Sequence, residues 1–152
     1  MADNFLDTSA LGKHYHQEVG TPKVDQLLAD PNSRQFISRL TVVEIQSVFA
    51  KKVRTGLLSL ADFQLLCRRF RADVRRRKFQ VGRITAKHFE AAERLIRRLA
   101  PAQNLRTLDA LQLAVALDLE AQGLINQFVC ADQRLCSMAT AEGLSVMNPE
   151  VP

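Results

Sequence analysis

"NFLDTSAL", residues 4–11, runs from core-type residues straight into a carboxylate. Phe5 and Leu6 read as a buried strand over residues 4–7 that Asp7 closes. Far along the chain "QFVCADQRL", residues 127–135, repeats the arrangement, with Asp132 ending a strand over "QFVCAD". Such an acid is out of place in an apolar core but suits the edge of a sheet where ligands bind. The elements between the two stretches decide whether both aspartates share one edge.

"TPKVDQLLAD" (21–30) predicts a helix with Val24, Leu27 and Leu28 at helical spacing, and "RQFISRL" (34–40) a second strand. "TVVEIQSVFAKKVRTG" (41–56) is a helix closed by Gly56. "SLADFQLLCRRFRADVRRRK" (59–78) is another, with Phe63, Leu66, Cys67, Phe70 and Val74 forming one apolar stripe. A weaker strand, "FQVGRI" (79–84), precedes the helix "AKHFEAAERLIRRLA" (86–100), which Pro101 ends. "LDALQLAVALDLEAQG" (108–123) is apolar on nearly every side, as a core helix would be. After "QFVCAD" come the helix "QRLCSMATAEG" (133–143) and a last short strand, "LSVMN" (144–148). Strands alternating with helices imply an α/β fold whose mostly parallel sheet is covered on both faces.

The 152 residues, 47% hydrophobic and 24% charged, suit one domain spanning 1–152. No apolar run approaches the roughly 20 residues of a membrane span, and the start resembles no signal peptide. A soluble, cytoplasmic protein is expected. Cys67, Cys130 and Cys136 match no zinc spacing and are expected as reduced thiols. No nucleophile elbow or Gly-rich phosphate loop is present.

In an open parallel sheet, strands end and crossover helices begin on the same edge. Asp7 and Asp132 end strands, and Glu44 and Asp109 fall in first helical turns, so all four acids are expected there. For Asp109 this requires "PAQNLRT" (101–107) to carry the chain back along the preceding helix, a span of about 23–25 Å when fully extended. Each acid also has a plainer role. Thr41 and Glu44 fit a capping box, Asp109 a first-turn acid behind a Thr107 cap, and Asp132 a helix cap. A capping role is least expected for Asp7, since its helix would have to follow the strand directly.

Four carboxylates on one edge need cations to neutralise them, and hard oxygen donors without His or Cys suit Mg²⁺ or Mn²⁺. The chemistry implied is metal-assisted phosphodiester hydrolysis. The chain is net +5, and "RRFRADVRRRK" (68–78) concentrates arginines, including Arg68, Arg71, Arg75 and Arg76, that project outward from the helix over a wide arc. That surface is either solvated or a binding surface for a nucleic-acid phosphate backbone.

With "FLDTSAL", "TVVEIQSVFAKK", "LRTLDALQLAVAL" and "FVCADQRL" followed by "AEGLSVMNP", the sequence resembles PIN-domain ribonucleases, especially VapC-type toxins of toxin–antitoxin systems. The resemblance implies a three-layer α/β/α sandwich and an acidic Mg²⁺ or Mn²⁺ site made by Asp7, Glu44, Asp109 and Asp132. Asp7 and Asp109 would hold the principal ion, with Ser9 supporting Asp7. It also implies an RNA substrate, a homodimer and a cognate antitoxin. Two positions depart from the pattern: Cys130 stands where Thr, Ser or Asn is usual, and Gln112 where His is common. The expected activity is an endoribonuclease; the alternative is a catalytically silent RNA- or protein-binding module on the same fold.

Overall fold

A computed structural model of the chain describes residues 2–152. Five short strands, β1 (Asn4–Leu6), β2 (Gln35–Ser38), β3 (Gln80–Gly82), β4 (Gln127–Val129) and β5 (Val146–Met147), form one sheet in the order β3-β2-β1-β4-β5. Every neighbouring pair is parallel. Seven helices connect them among the described residues: α1 (Thr8–Tyr15), α2 (Thr21–Ala29), α3 (Arg39–Arg54), α4 (Leu60–Arg75), α5 (Ala86–Leu99), α6 (Thr107–Ala121) and α7 (Gln133–Ala141).

Consecutive strand residues point to opposite faces, and three dipeptides divide the core accordingly. Phe5, Phe36 and Phe128 face the layer of α5, α6 and α7, packing with Leu95, Leu113 and Leu135. Leu6, Ile37 and Val129 face the layer of α1 to α4, packing with Leu11, Ile45, Phe49 and Phe70. The result is the α/β/α sandwich with a parallel sheet that the alternating elements imply. Phe5 and Phe128 stack at 5.8 Å between ring centroids across β1 and β4. Full burial of such a side chain contributes about 1.5–3 kcal/mol, which anchors the central strands that carry the site.

Two features differ from the sequence reading. Helix α1 is unanticipated and begins at Thr8, directly after β1, with Asp7 as its N-cap. Being only eight residues long, it offers too few turns for a periodic signature. Second, α5 does not run back across the sheet ahead of α6. The two lie antiparallel: His88 of α5 reaches Asp118 near the end of α6, while Ile96 lies beside Thr107 at its start. The chain therefore needs only a short turn at residues 100–106, and "PAQNLRT" spans no helix length. Among the described residues, no helix is long and apolar enough to cross a membrane.

Candidate active site

The sheet's carboxyl edge receives each of the four acids from a different segment. Asp7 follows β1 and caps α1, its carboxylate accepting from the backbone N–H of Ser9 at 3.3 Å. Asp132 follows β4 and caps α7, accepting from the N–H groups of Arg134 and Leu135 at 2.9 and 3.3 Å. Glu44 and Asp109 are not caps. Helix α3 begins at Arg39 under Ser38, whose hydroxyl accepts from the Thr41 N–H, so the alternative Thr41–Glu44 capping box does not form. Arg106, not Thr107, holds the cap position of α6. The cap roles thus fall on the two strand-end aspartates, and the two helix acids are left to other partners.

Those partners form a buried polar hub. Gln112 of α6, 1% exposed, sits beneath Glu44. Its Nε2 lies 2.8 Å from Glu44 Oε1, 2.8 Å from Thr41 Oγ1 and 3.1 Å from Thr8 Oγ1. With two N–H groups it serves two of these three acceptors at a time. Its Oε1 accepts from the Ser38 hydroxyl at 2.7 Å, and Thr8 donates to Glu44 at 3.1 Å. Four elements are thereby tied together under one carboxylate.

Asp7 is held separately. Ser9 Oγ donates to Asp7 Oδ2 at 2.6 Å and itself accepts from the Ala131 N–H at 3.1 Å, linking α1 to the chain leaving β4. Cys130 approaches Asp7 only at a 3.8 Å sulfur contact, so Ser9 makes the short bond. The Cys136 thiol beside it, together with burial, pushes the Cys130 thiol well above its ordinary value. The Cys136 thiol donates to the Cys130 carbonyl at 3.1 Å.

The electrostatics are unfavourable to so many negative charges. Burial pushes the Asp7 carboxyl up to about 6; the Ser9 bonds oppose the shift, and Glu44 and Asp109 add to it. Glu44 is also raised, by burial first, with its bonds to Gln112 and Thr8 opposing and Asp109 adding. One cation answers them. Arg106 Nε lies 3.1 Å from Asp109 Oδ2 and Nη2 3.7 Å from Asp132 Oδ2, and its bond to Asp109 raises its own pKa. Neither the sequence spacing nor its polarity singled out Arg106, Thr8 or Ser38, and Thr41 stood out only as a helix cap; Arg106 could have been suspected from its place three residues before Asp109.

In donor chemistry the cluster fits a hard divalent cation: carboxylate oxygens only, one of them buried and short of counter-charge. In these side-chain positions no three of the His, Cys, Asp and Glu groups among the described residues converge on one point. Arg106 occupies Asp109 and Asp132 instead. Its side chain is 69% exposed, and its ion pairs among the described residues are with those two acids.

The arginines singled out in the sequence are elsewhere. Arg68, Arg71, Arg75 and Arg76 project from α4 and its C-cap on the side away from the core, as the apolar stripe requires, with Leu66 and Phe70 buried. Arg68 and Arg76 line a surface cavity that includes His14, near the end of α1 remote from Asp7. Arg71 and Arg75 lie outside that cavity's lining.

Solved structures with this fold include VapC20 of Mycobacterium tuberculosis, described as a sarcin-ricin-loop-cleaving toxin, at TM-score 0.68 and 18% identity over 98% of both chains. VapBC2 of Rickettsia felis, bound to a promoter DNA fragment, has TM-score 0.64 and 16% identity over 95% of this chain and 97% of that one. FitAcB of Neisseria gonorrhoeae has TM-score 0.64 and 16% identity over 96% and 97%. At these identities the likeness shows the fold alone. No curated protein matches the sequence. The PIN domain family model matches residues 5–140, which include all four acids, Ser9, Gln112 and Arg106. The chain belongs to the PIN domain family.

Proposed function

We propose that the protein is a Mg²⁺- or Mn²⁺-dependent endoribonuclease and the toxin of a toxin–antitoxin pair. The observation that carries this reading is the gathering of Asp7, Glu44, Asp109 and Asp132 at one sheet edge, with Asp7 buried and its pKa raised. A structural cluster of caps would have no reason to bury a carboxylate beside two others.

Asp7 and Asp109 would hold the principal ion, with Glu44 and Asp132 completing the site. A divalent cation there neutralises the carboxylates and supplies the Lewis acid for in-line displacement at phosphorus. Ser9 and the α1 N-terminus fix the Asp7 carboxylate, and Gln112 with Thr8 fixes Glu44. Arg106, which pairs with Asp109 and Asp132, would be released by a cation bound there and could then meet an incoming phosphate.

An antitoxin partner is supported by neighbours that are themselves complexes, VapBC2 and a Klebsiella pneumoniae toxin–antitoxin complex. A second copy of the chain is supported by the exposed leucines Leu57, Leu60 and Leu65 around the α3–α4 turn. The purified chain should cleave RNA in Mg²⁺ or Mn²⁺, lose that activity in excess EDTA, and regain it when the cation is restored. Undiminished cleavage in EDTA sinks the metal-dependent mechanism. A folded chain that neither binds Mn²⁺ by calorimetry nor cuts RNA would be the silent binding module instead.

A further inference from the structure

The chain's positive charge is concentrated in one place. Residues 68–78 hold seven cations against Asp73, a net +6, while the whole chain is +5, so the remaining residues sum to −1. An RNA drawn to the four acids alone would meet repulsion, and its net attraction must come from this segment.

Helix α4 turns Leu66 and Phe70 into the core and leaves Arg68, Arg69, Arg71, Arg75 and Arg76 on its outer side, with Arg77 beyond its end. Among the described residues none of these arginines is paired with a carboxylate; the segment's one ion pair is Lys78–Asp73 at 3.9 Å. Arg68, Arg69, Arg76, Lys78 and His14 surround a surface cavity of about 500 Å³ completed by Ala72 and Asp73. Asp73 is already engaged, accepting from the Tyr15 hydroxyl at 2.6 Å. The His14 ring lies between Asp25, 2.6 Å from Nδ1, and Lys78, 2.9 Å from Nε2.

The cavity's position is fixed by two elements. His14 is in the last turn of α1, whose first turn Asp7 caps, and Lys78 lies just ahead of β3. Both place it towards the amino edge of the sheet, about 12 Å from the acids by the length of α1.

We propose that this cavity is a second binding site for the phosphate backbone of single-stranded RNA, anchoring a stretch a few nucleotides from the one held at the acids. The proposal rests on the nuclease reading for its substrate class. Phosphate suits the lining better than an acidic peptide does. The site has forked guanidinium donors and one small apolar side chain, whereas peptide and drug-like pockets are mostly apolar.

The test uses the Asp7→Asn chain in EDTA and a fluorescent oligouridylate of about 12 nucleotides, within the reach of a single-strand site. Adding R68Q, R69Q and R76Q should weaken binding about 10- to 100-fold and flatten the logarithmic salt dependence by about 2, at roughly 0.7 for each phosphate no longer neutralised. The matching R68K, R69K, R76K chain keeps the charge and should recover most of the salt dependence, which separates removal of charge from failure to fold. Arg94→Gln with Arg97→Gln on α5 should leave binding within about twofold. Absence of salt-dependent RNA binding by the Asp7→Asn chain overturns the proposal, as does a folded glutamine triple that binds like its parent. Polyglutamate competing as strongly as RNA would reassign the cavity to a protein partner and likewise overturn it. The readout is binding without cleavage, so failure of the wild-type chain to cut RNA would strike the nuclease reading and leave this site standing.

Discussion

The two ends of helix α1 carry opposite charge under opposite physical terms. At its start the Asp7 carboxylate is 5% exposed, fixed by Ser9, and burdened by Glu44 and Asp109. At its end the arginines of α4 stand towards solvent, with no carboxylate partner among the described residues. The first arrangement costs stability and confers position; the second costs almost nothing and confers attraction. Substitutions at the two ends should therefore behave in opposite ways.

The largest effect is expected for Asp7→Asn. RNA cleavage should fall by about three orders of magnitude, the scale of losing several kcal/mol of transition-state charge stabilisation. Asparagine caps a helix as well as aspartate, so α1 should remain intact by circular dichroism. Full RNase activity in this variant would sink the assignment of Asp7.

The pH dependence of stability comes next. Asp7 titrates at 3.8 in its ordinary state and about 6 in the fold, so the folded protein binds the proton more tightly. Its contribution to stability is favourable to the protonated form at low pH and is lost as pH rises through the folded value. Between about pH 4 and 6 the wild-type chain should lose up to about 3 kcal/mol relative to Asp7→Asn. Urea unfolding of both chains at several pH values measures the gap. A gap that does not grow over this window would remove the burial cost from the acidic end. Mn²⁺ at neutral pH should narrow it, because a bound cation restores the counter-charge.

A smaller loss, about 2–3 kcal/mol, is expected for Gln112→Ala, which leaves the buried Ser38 hydroxyl without its acceptor, takes a donor from Thr41 and Thr8, and removes the bond to Glu44. Chemical denaturation would show it. A change below about 0.5 kcal/mol would mean the hub is not what holds the acidic end together.

Much of this architecture is written locally. Phe5-Leu6, Phe36-Ile37 and Phe128-Val129 each display a strand buried on both faces, and α6 displays a core helix through its unbroken run of Leu, Ala and Val. Asp7 and Asp132 could be placed because strand ends define the edge. What stayed hidden depends on partners distant in sequence. Glu44 and Asp109 looked like caps because Thr41 and Thr107 sit at capping distance; Ser38 and Arg106 hold those positions only once the strand and loop ends are known. Arg106 reaches Asp132 only after α6 and α7 have docked, and the antiparallel seating of α5 on α6 has no local signature. The arginine run was legible as charge, but its place at the far end of α1 was not.

The smallest effect should come from the basic end, and it sharpens the contrast most. Replacing Arg68, Arg69 and Arg76 with Gln removes three charges that form no ion pair among the described residues and that lie on the outer side of α4. Gln is about as good a helix former as Arg, so local propensity is nearly unchanged. Relief of repulsion among neighbouring guanidiniums offsets the reduced packing of their stems. The unfolding free energy should therefore move by no more than about 0.5 kcal/mol, even as RNA binding falls steeply. A loss of more than about 1 kcal/mol would show that these arginines hold α4 against Tyr15 and Asp73, and the two ends of α1 would then be less different than their charges suggest.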